Sequence, residues 1–226
     1  KNIDICKLVL VEPLKPKGKL TIATPFHVKI PLGEYSRLGH LGQSYQITQW
    51  YPKPAVYDKN GWNPMPYLDQ GEFYSEFGSF DVSITLPKNY VVGATGDMVG
   101  GEAELKWLNE IAEQTKNKTS FGDGKTFPKS SDELKTLRFK QSKVHDFAWF
   151  ADKRYNVLKG EVEMPESKRK VTTWAMFTDG EADLWSNSIE YLNDATLFYS
   201  QKVGEYPYNH VTAVDGALSA GGGMEY

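Results

Sequence analysis

The residues best suited to chemistry close the chain: Gly221-Gly222-Gly223-Met224-Glu225-Tyr226. Glycine removes the side chain that would hold a second backbone at a distance, so such a segment can lie close to a bound strand. An extended edge there can pair its main-chain N–H and C=O groups with a peptide. Glu225 adds a carboxylate, the natural partner of an α-amino group, whose pKa of about 8 keeps it mostly protonated at neutral pH. By composition alone the same residues read as a flexible glycine tail.

Other candidate motifs fail on spacing. Gly122-Asp123-Gly124-Lys125-Thr126 ends like a phosphate loop, but that pattern needs a glycine where Thr119 stands. Around Ser219, the first glycine of a nucleophile elbow would have to be at Ala217, and it is at Gly216. No two of His27, His40, His145 and His210 are four residues apart, so no helical zinc pair exists, and each reads as a structural histidine. Cys6 is the only cysteine, which rules out an intrachain disulfide and a cysteine-based zinc site.

The elements that must position the terminal segment are mostly strands. The chain has 11 Phe, 6 Trp and 13 Tyr with 12 Pro and 20 Gly, a mixture that favours strands and turns. Apolar and polar residues alternate at 20–22, 26–30, 45–51 and 80–86, the pattern of half-buried strands. Asn60-Gly61 marks a tight turn. A helix is expected over 104–116, with Leu105, Leu108, Ile111 and Ala112 on its buried face. A polar loop over 117–133 follows it. Strands resume at 137–139, 147–150, 155–164 and 171–177.

The last quarter changes period. Thr178-Asp179-Gly180-Glu181 has the form of a capping box. Leu184, Ser188, Leu192, Ala195, Tyr199 and Val203 then make one helical face, ended by Gly204. Of these, Leu184, Leu192 and Tyr199 are expected to pack on the preceding sheets, or else the segment to be mobile. A short strand is expected at 211–214.

Charge narrows the classes of partner. The 26 Lys and Arg against 29 Asp and Glu give −3, which excludes the basic footprint of a nucleic-acid binder. The longest aliphatic run, Leu8 to Val11, is far short of the about 20 apolar residues of a membrane-spanning helix. The start at Lys1-Asn2 reads as a processed or trimmed terminus.

The order of these parts carries a resemblance. A long helix, Tyr206-Pro207-Tyr208, a short apolar strand and then Gly-x-Met-Glu resemble the zinc aminopeptidases of the aminopeptidase N and leukotriene-hydrolase family. Upstream, Thr48-Gln49-Trp50-Tyr51-Pro52-Lys53-Pro54-Ala55-Val56-Tyr57-Asp58 is similar to the part of the family's amino-terminal domain that reaches the active site. Residues 73–96 and 144–151 resemble later strands of that domain, so the resemblance spans most of the chain. It is nearest to a bacterial subgroup with the Gln-Trp-Tyr-Pro-Lys-Pro form.

The resemblance implies a mainly β fold: an antiparallel β-sandwich domain over residues 1–168, then the α+β start of a thermolysin-like catalytic domain over 169–226. It implies that Glu225 binds the free amino terminus of a peptide substrate. Gly222 and Gly223 would offer backbone contacts near the scissile carbonyl, and Met224 would pack beneath the strand. The family adds a second polar residue to the amine site; the alignment puts Tyr51 there, with Gln49 two residues earlier. Where the family has Asn after Glu, this chain has Tyr226.

The family's Zn2+ is held by His-Glu-x-x-His on one helix and a glutamate on the next. Neither is in this sequence. The chain is therefore expected to be the amino-terminal part of a zinc metallopeptidase, inert by itself, with the remainder of the catalytic domain downstream. The bacterial resemblance implies the periplasm or cell envelope. Two other functions fit the residues: a β-sandwich binding module that presents Trp50, Trp62 and Tyr67 to carbohydrate or protein, and a catalytically dead scaffold paralogue.

Overall fold

The computed structural model describes residues 4–33, 37–67, 73–216 and 223–226. Strands dominate. The first are β1 (Gly39–Leu41), β2 (Ser44–Ile47), β3 (Val56–Asp58) and β4 (Gly61–Asn63). Next come β5 (Gly78–Pro87), β6 (Val91–Ala94), β7 (Asp97–Met98) and helix α1 (Glu102–Lys116). They are followed by β8 (Leu134–Val144), β9 (Trp149–Asp152), β10 (Asn156–Glu163) and β11 (Lys170–Phe177). A 3-10 turn (Asp179–Glu181), α2 (Ala182–Trp185), α3 (Ser188–Val203) and β12 (His210–Val214) complete the series. Among the described residues, no helix is long and apolar enough to cross a membrane.

Two antiparallel sheets, β5-β8-β7 and β1-β2-β9-β6, share one core. Alternation explains which residues enter it. In β5, Ile84 and Leu86 are buried and Phe80 and Val82 pack against them, opposite Leu137 and Phe139 of β8. The intervening Asp81 faces outward, where Arg138 grips it through two hydrogen bonds of 2.7 and 2.6 Å. The second sheet contributes Tyr45, Ala151 and Val92, which are aligned across β2, β9 and β6.

The third sheet, β10-β11-β12, is antiparallel between its first two strands and parallel between its last two. Leu108 and Ala112 of α1 cluster with Val157, Trp174 and Met176 of the sheet, while Leu197 of α3 packs against Val162 and Val171. At Gly160 an added Cβ would lie 2.4 Å from Ile189 Cγ2, so glycine lets α3 approach the strand. The 168/169 division falls in the turn of the β10–β11 hairpin, which pairs continuously from Asn156↔Phe177 to Glu163↔Lys170.

Several sequence expectations change. The strands expected at 20–22 and 26–30 are absent; Leu20, Ile22 and Phe26 stay exposed, and residues 20–30 pair with no strand among the described residues, the nearest bridge being Leu32↔His40. Alternation creates no strand without a neighbour to pair with. The expected strand at 45–51 ends at Ile47, just before Gln49 adopts a left-handed backbone (φ 50°). The capping box does not form, because Thr178 Oγ1 donates to Asp215 Oδ2 (2.8 Å) instead of capping the helix.

The expected helical face is also corrected. Of that face, Leu184, Tyr199 and Val203 are 77%, 62% and 81% exposed, Ala195 is exposed and Leu192 half-buried; only Ser188 is buried, and it is joined by Thr196 and Ser200. The sheet surface decides this outcome. Gly160 and Thr173 admit a close, small-residue helix face, and Thr173 Oγ1 bonds to Asn193 Oδ1 at 2.9 Å.

Candidate functional site

A cleft of about 610 Å³ lies where β6 faces β12, with residues 223–226 along its side. Its floor follows from sheet register. Gln46, Phe150 and Gly93 are aligned across β2, β9 and β6, on the face opposite the shared core. Gly93 permits the approach of β12: a Cβ there would lie 3.2 Å from Val214 Cγ2 and 3.1 Å from Met176 Sδ.

The outer edge of β12 lines the same cleft. Thr172 N–H donates to Asn209 O (3.0 Å) and Asp215 N–H to Met176 O (2.8 Å). In a parallel ladder, this turns the backbone groups of residues 211 and 213 toward β11 and those of Thr212 and Val214 away from it. The lower end of the strand is fixed by His210. Its Nε2 lies 2.8 Å from Gly96 O, an acceptor only, so Nε2 carries the proton and Nδ1 accepts from Thr212 Oγ1 at 3.2 Å. Tyr206 O–H donates to His210 O (3.0 Å), and Arg169 in turn holds the carbonyls of Tyr206 and Tyr208.

The terminal segment meets this wall. Gly223, Met224, Glu225 and Tyr226 all line the cleft. Gly223 and Glu225 are exposed, and Met224 is half-buried. The Glu225 carboxylate has no ion pair or hydrogen bond among the described residues. The Tyr226 ring lies 6.1 Å from that of Phe150, which anchors the segment to the sheet. Burial raises the pKa of the Tyr226 hydroxyl, and the nearby Thr48 hydroxyl opposes that rise. Gly222, named as a backbone contact, lies outside the described residues.

Gln49 and Tyr51 take a different position. Both turn to Asp146, whose carboxylate is buried. Tyr51 O–H donates to Oδ1 (2.8 Å), and Gln49 Nε2 donates to Oδ2. Phe147 N–H adds a 2.8 Å bond, and Lys53 Nζ stands 3.6 Å away. Burial first, and then the Asp146 charge, push the Tyr51 hydroxyl well above its ordinary pKa, so it stays a proton donor to the carboxylate. The Gln49 Oε1 is buried with no hydrogen bond among the described residues.

Sequence reasoning thus singled out residues of two neighbouring groups. It missed Gln46 and Phe150 on the cleft floor and Asp146 at the centre of the second group. Phe150 and Asp146 lie within the 144–151 stretch, and Gln46 sits at the out-of-phase position of an alternating strand.

Among the described residues, no three His, Cys, Asp or Glu side chains converge as a metal site. A scan against family models finds no match, and a search of curated proteins finds none either.

Proposed function

We propose that this chain is the amino-terminal part of a zinc-dependent metallopeptidase, an aminopeptidase, that hydrolyses peptide bonds. Its two-sheet body would be the family's β-sandwich domain, and its last sheet the opening of a thermolysin-like catalytic domain. The zinc ligands would lie outside this chain, and the remaining catalytic domain would complete the groove. The observation that supports the reading is the exposed carboxylate of Glu225, without a hydrogen bond or ion pair among the described residues, on the wall of a cleft bordered by a sheet edge.

The chemistry of this chain's own residues is binding and orientation. Glu225 would accept hydrogen bonds from a protonated α-amino group. The outward N–H and C=O groups of Thr212 and Val214 could pair with an extended main chain. Tyr51 and Gln49 would act at one remove, by fixing the loop beside the terminal segment through Asp146. Location in the periplasm or cell envelope belongs to the same proposal.

The test is an aminoacyl-naphthylamide assay on this chain and on a metal-loaded protein that includes the downstream sequence. Activity is expected only in the longer form. Metal-dependent activity in the short form, or none in the loaded long form, contradicts the proposal.

A second reading rests on the β3–β4 hairpin. Tyr57 and Trp62 are 66% and 67% exposed, with ring centroids 5.0 Å apart. They could hold carbohydrate or protein, although their 66° interplanar angle gives an edge rather than one flat platform. Glycan binding abolished by Trp62→Ala would favour that reading.

A further inference from the structure

The outer edge of β5 pairs with no strand among the described residues. Its unpaired groups follow from register. Lys88 N–H donates to Glu133 O (2.8 Å), one step beyond the Pro87↔Leu134 pair. Backbone groups alternate sides along a strand, so those of Phe80, Val82, Ile84 and Leu86 face β8, and those of Asp81, Ser83 and Thr85 point outward. β8 agrees: Arg138, opposite Ser83, gives its carbonyl to Val99 N–H (2.8 Å) on its other side. Pro87 falls at an outward position, where a missing N–H leaves the β5–β8 ladder intact. Phe80 and Val82 are only half-buried, so the core is open along this edge. Native proteins cover or blunt a long open edge.

Residues 26–32 carry the complementary pattern. Pro31 O accepts from His40 N–H, and Gly33 N–H donates to His40 O, both at 3.0 Å. These bonds turn residues 31 and 33 toward β1. By the same alternation, the backbone groups of Val28, Ile30 and Leu32 turn away from it. Val28 and Ile30 are half-buried, while His27 and Lys29 are exposed. The direction is set as well. The Phe26 ring is 6.1 Å from Trp50, Trp50 is 5.4 Å from Tyr51, and Tyr51 is 5.5 Å from Phe80, near the start of β5. At the other end, Leu32 bridges to His40, whose ring is 5.8 Å from Tyr45; Tyr45 is 6.1 Å from Tyr90, just beyond the end of β5.

We propose that residues 26–32 are a strap that closes onto β5 as a parallel strand and joins the two sheets of the body along their open side. In a parallel pair, a residue facing its neighbour bonds to the residues before and after the one opposite. With Val28 beside Val82, Asp81 N–H donates to Phe26 O and Val28 N–H to Asp81 O. Ser83 N–H then donates to Val28 O and Ile30 N–H to Ser83 O. An antiparallel strap would instead turn residues 25, 27, 29 and 31 to the edge, and Pro25 and Pro31 have no N–H to give. Closure lays Phe26, Val28 and Ile30 beside Phe80, Val82 and Ile84. It also removes β5 as a template for a strand of a second copy.

The experiment is amide hydrogen exchange followed by NMR at two protein concentrations, in wild type, Val28→Pro and Lys29→Pro. In wild type the amides of Asp81, Ser83, Val28 and Ile30 are expected to exchange at least about a hundredfold more slowly than in an unstructured chain, at both concentrations. Val28→Pro places the ring against the edge and should return Asp81 and Ser83 to fast exchange. Lys29→Pro, whose nitrogen faces away, should leave them slow. Amides between β5 and β8 should stay slow in all three, which shows that the body is folded. If Val28→Pro does not fold, wild type and Lys29→Pro decide the matter. Fast exchange of Asp81 and Ser83 in wild type, or slow exchange retained in both variants, overturns the strap. Loss of slow exchange in Lys29→Pro overturns the parallel register. Slowing that grows with protein concentration assigns the edge to a second copy and overturns closure within the chain.

Discussion

The two-sheet core and helix α3 bury their side chains by different rules. In β5 and β8, the residues picked out by alternation are the residues inside: Ile84, Leu86, Leu137 and Phe139. In α3, the residues picked out by period are largely outside, and small polar side chains line the contact. A strand in a paired sheet has two faces and one shared core, so its pattern names the core directly. A helix face is chosen by the surface it meets, and here Gly160 and Thr173 present a shallow, partly polar one. The broader apolar side of α3, with Leu184 preceding it and Phe198, Tyr199 and Val203 along it, meets no comparable surface among the described residues.

That difference should appear first in stability. Phe147 is fully buried in the two-sheet core, and Phe147→Ala is expected to cost about 3–5 kcal/mol. Tyr199→Ala should change stability by less than about 0.5 kcal/mol, because the ring is 62% exposed. Urea unfolding of both variants checks the contrast. Comparable losses would show that α3 is packed more tightly than its exposure indicates.

Asp146 sharpens the comparison, because it joins the core to the loop before β3. Asp146→Ala removes the acceptor for Tyr51, Gln49 and Phe147 N–H and the ion partner of Lys53. A loss of about 2–4 kcal/mol is expected, mostly from the groups left buried and unpaired. If unfolding curves show less than about 1 kcal/mol, the buried cluster is not holding that loop.

The smallest effect is electrostatic and lies between the two regions. Burial pushes the Asp179 carboxyl up, but Lys118, Asn156 and the Gly122 N–H together pull it further down, so it ends below its ordinary value. A depressed carboxylate stabilises the fold fully above its unfolded pKa of about 3.9 and loses that contribution as pH falls through the folded value. Asp179→Asn should therefore flatten acid unfolding below about pH 4, by less than about 1 kcal/mol given partial exposure. An unchanged acid limb would assign that dependence elsewhere, with Asp81 the next candidate: its hydrogen bonds to Arg138 pull it down to about 2.

Much of this was legible in the sequence for physical reasons that can be named. The helix expected at 104–116 forms as α1, with Leu108 and Ala112 buried, because its apolar stripe finds the β10–β11–β12 sheet. The Asn60-Gly61 turn closes the β3–β4 hairpin, with Gly61 at φ 104°. Leu20 to Ile30 misled because pattern without a pairing partner gives no strand. Thr178 misled because Asp215, distant in sequence, competes for its hydroxyl. At the site, Glu225 and Met224 were visible as a motif, but Gln46 was not. Its place on the cleft floor depends on which strand face meets β12, and only the register of three strands reveals that.

The most direct test of the central claim is the affinity of this chain for a short free-amino peptide, measured beside the same peptide N-acetylated, in wild type and Glu225→Gln. Wild type should prefer the free amine by at least about tenfold, and Glu225→Gln should abolish that preference while its unfolding midpoint stays unchanged. A preference that persists in Glu225→Gln, or is missing from wild type, would contradict the account.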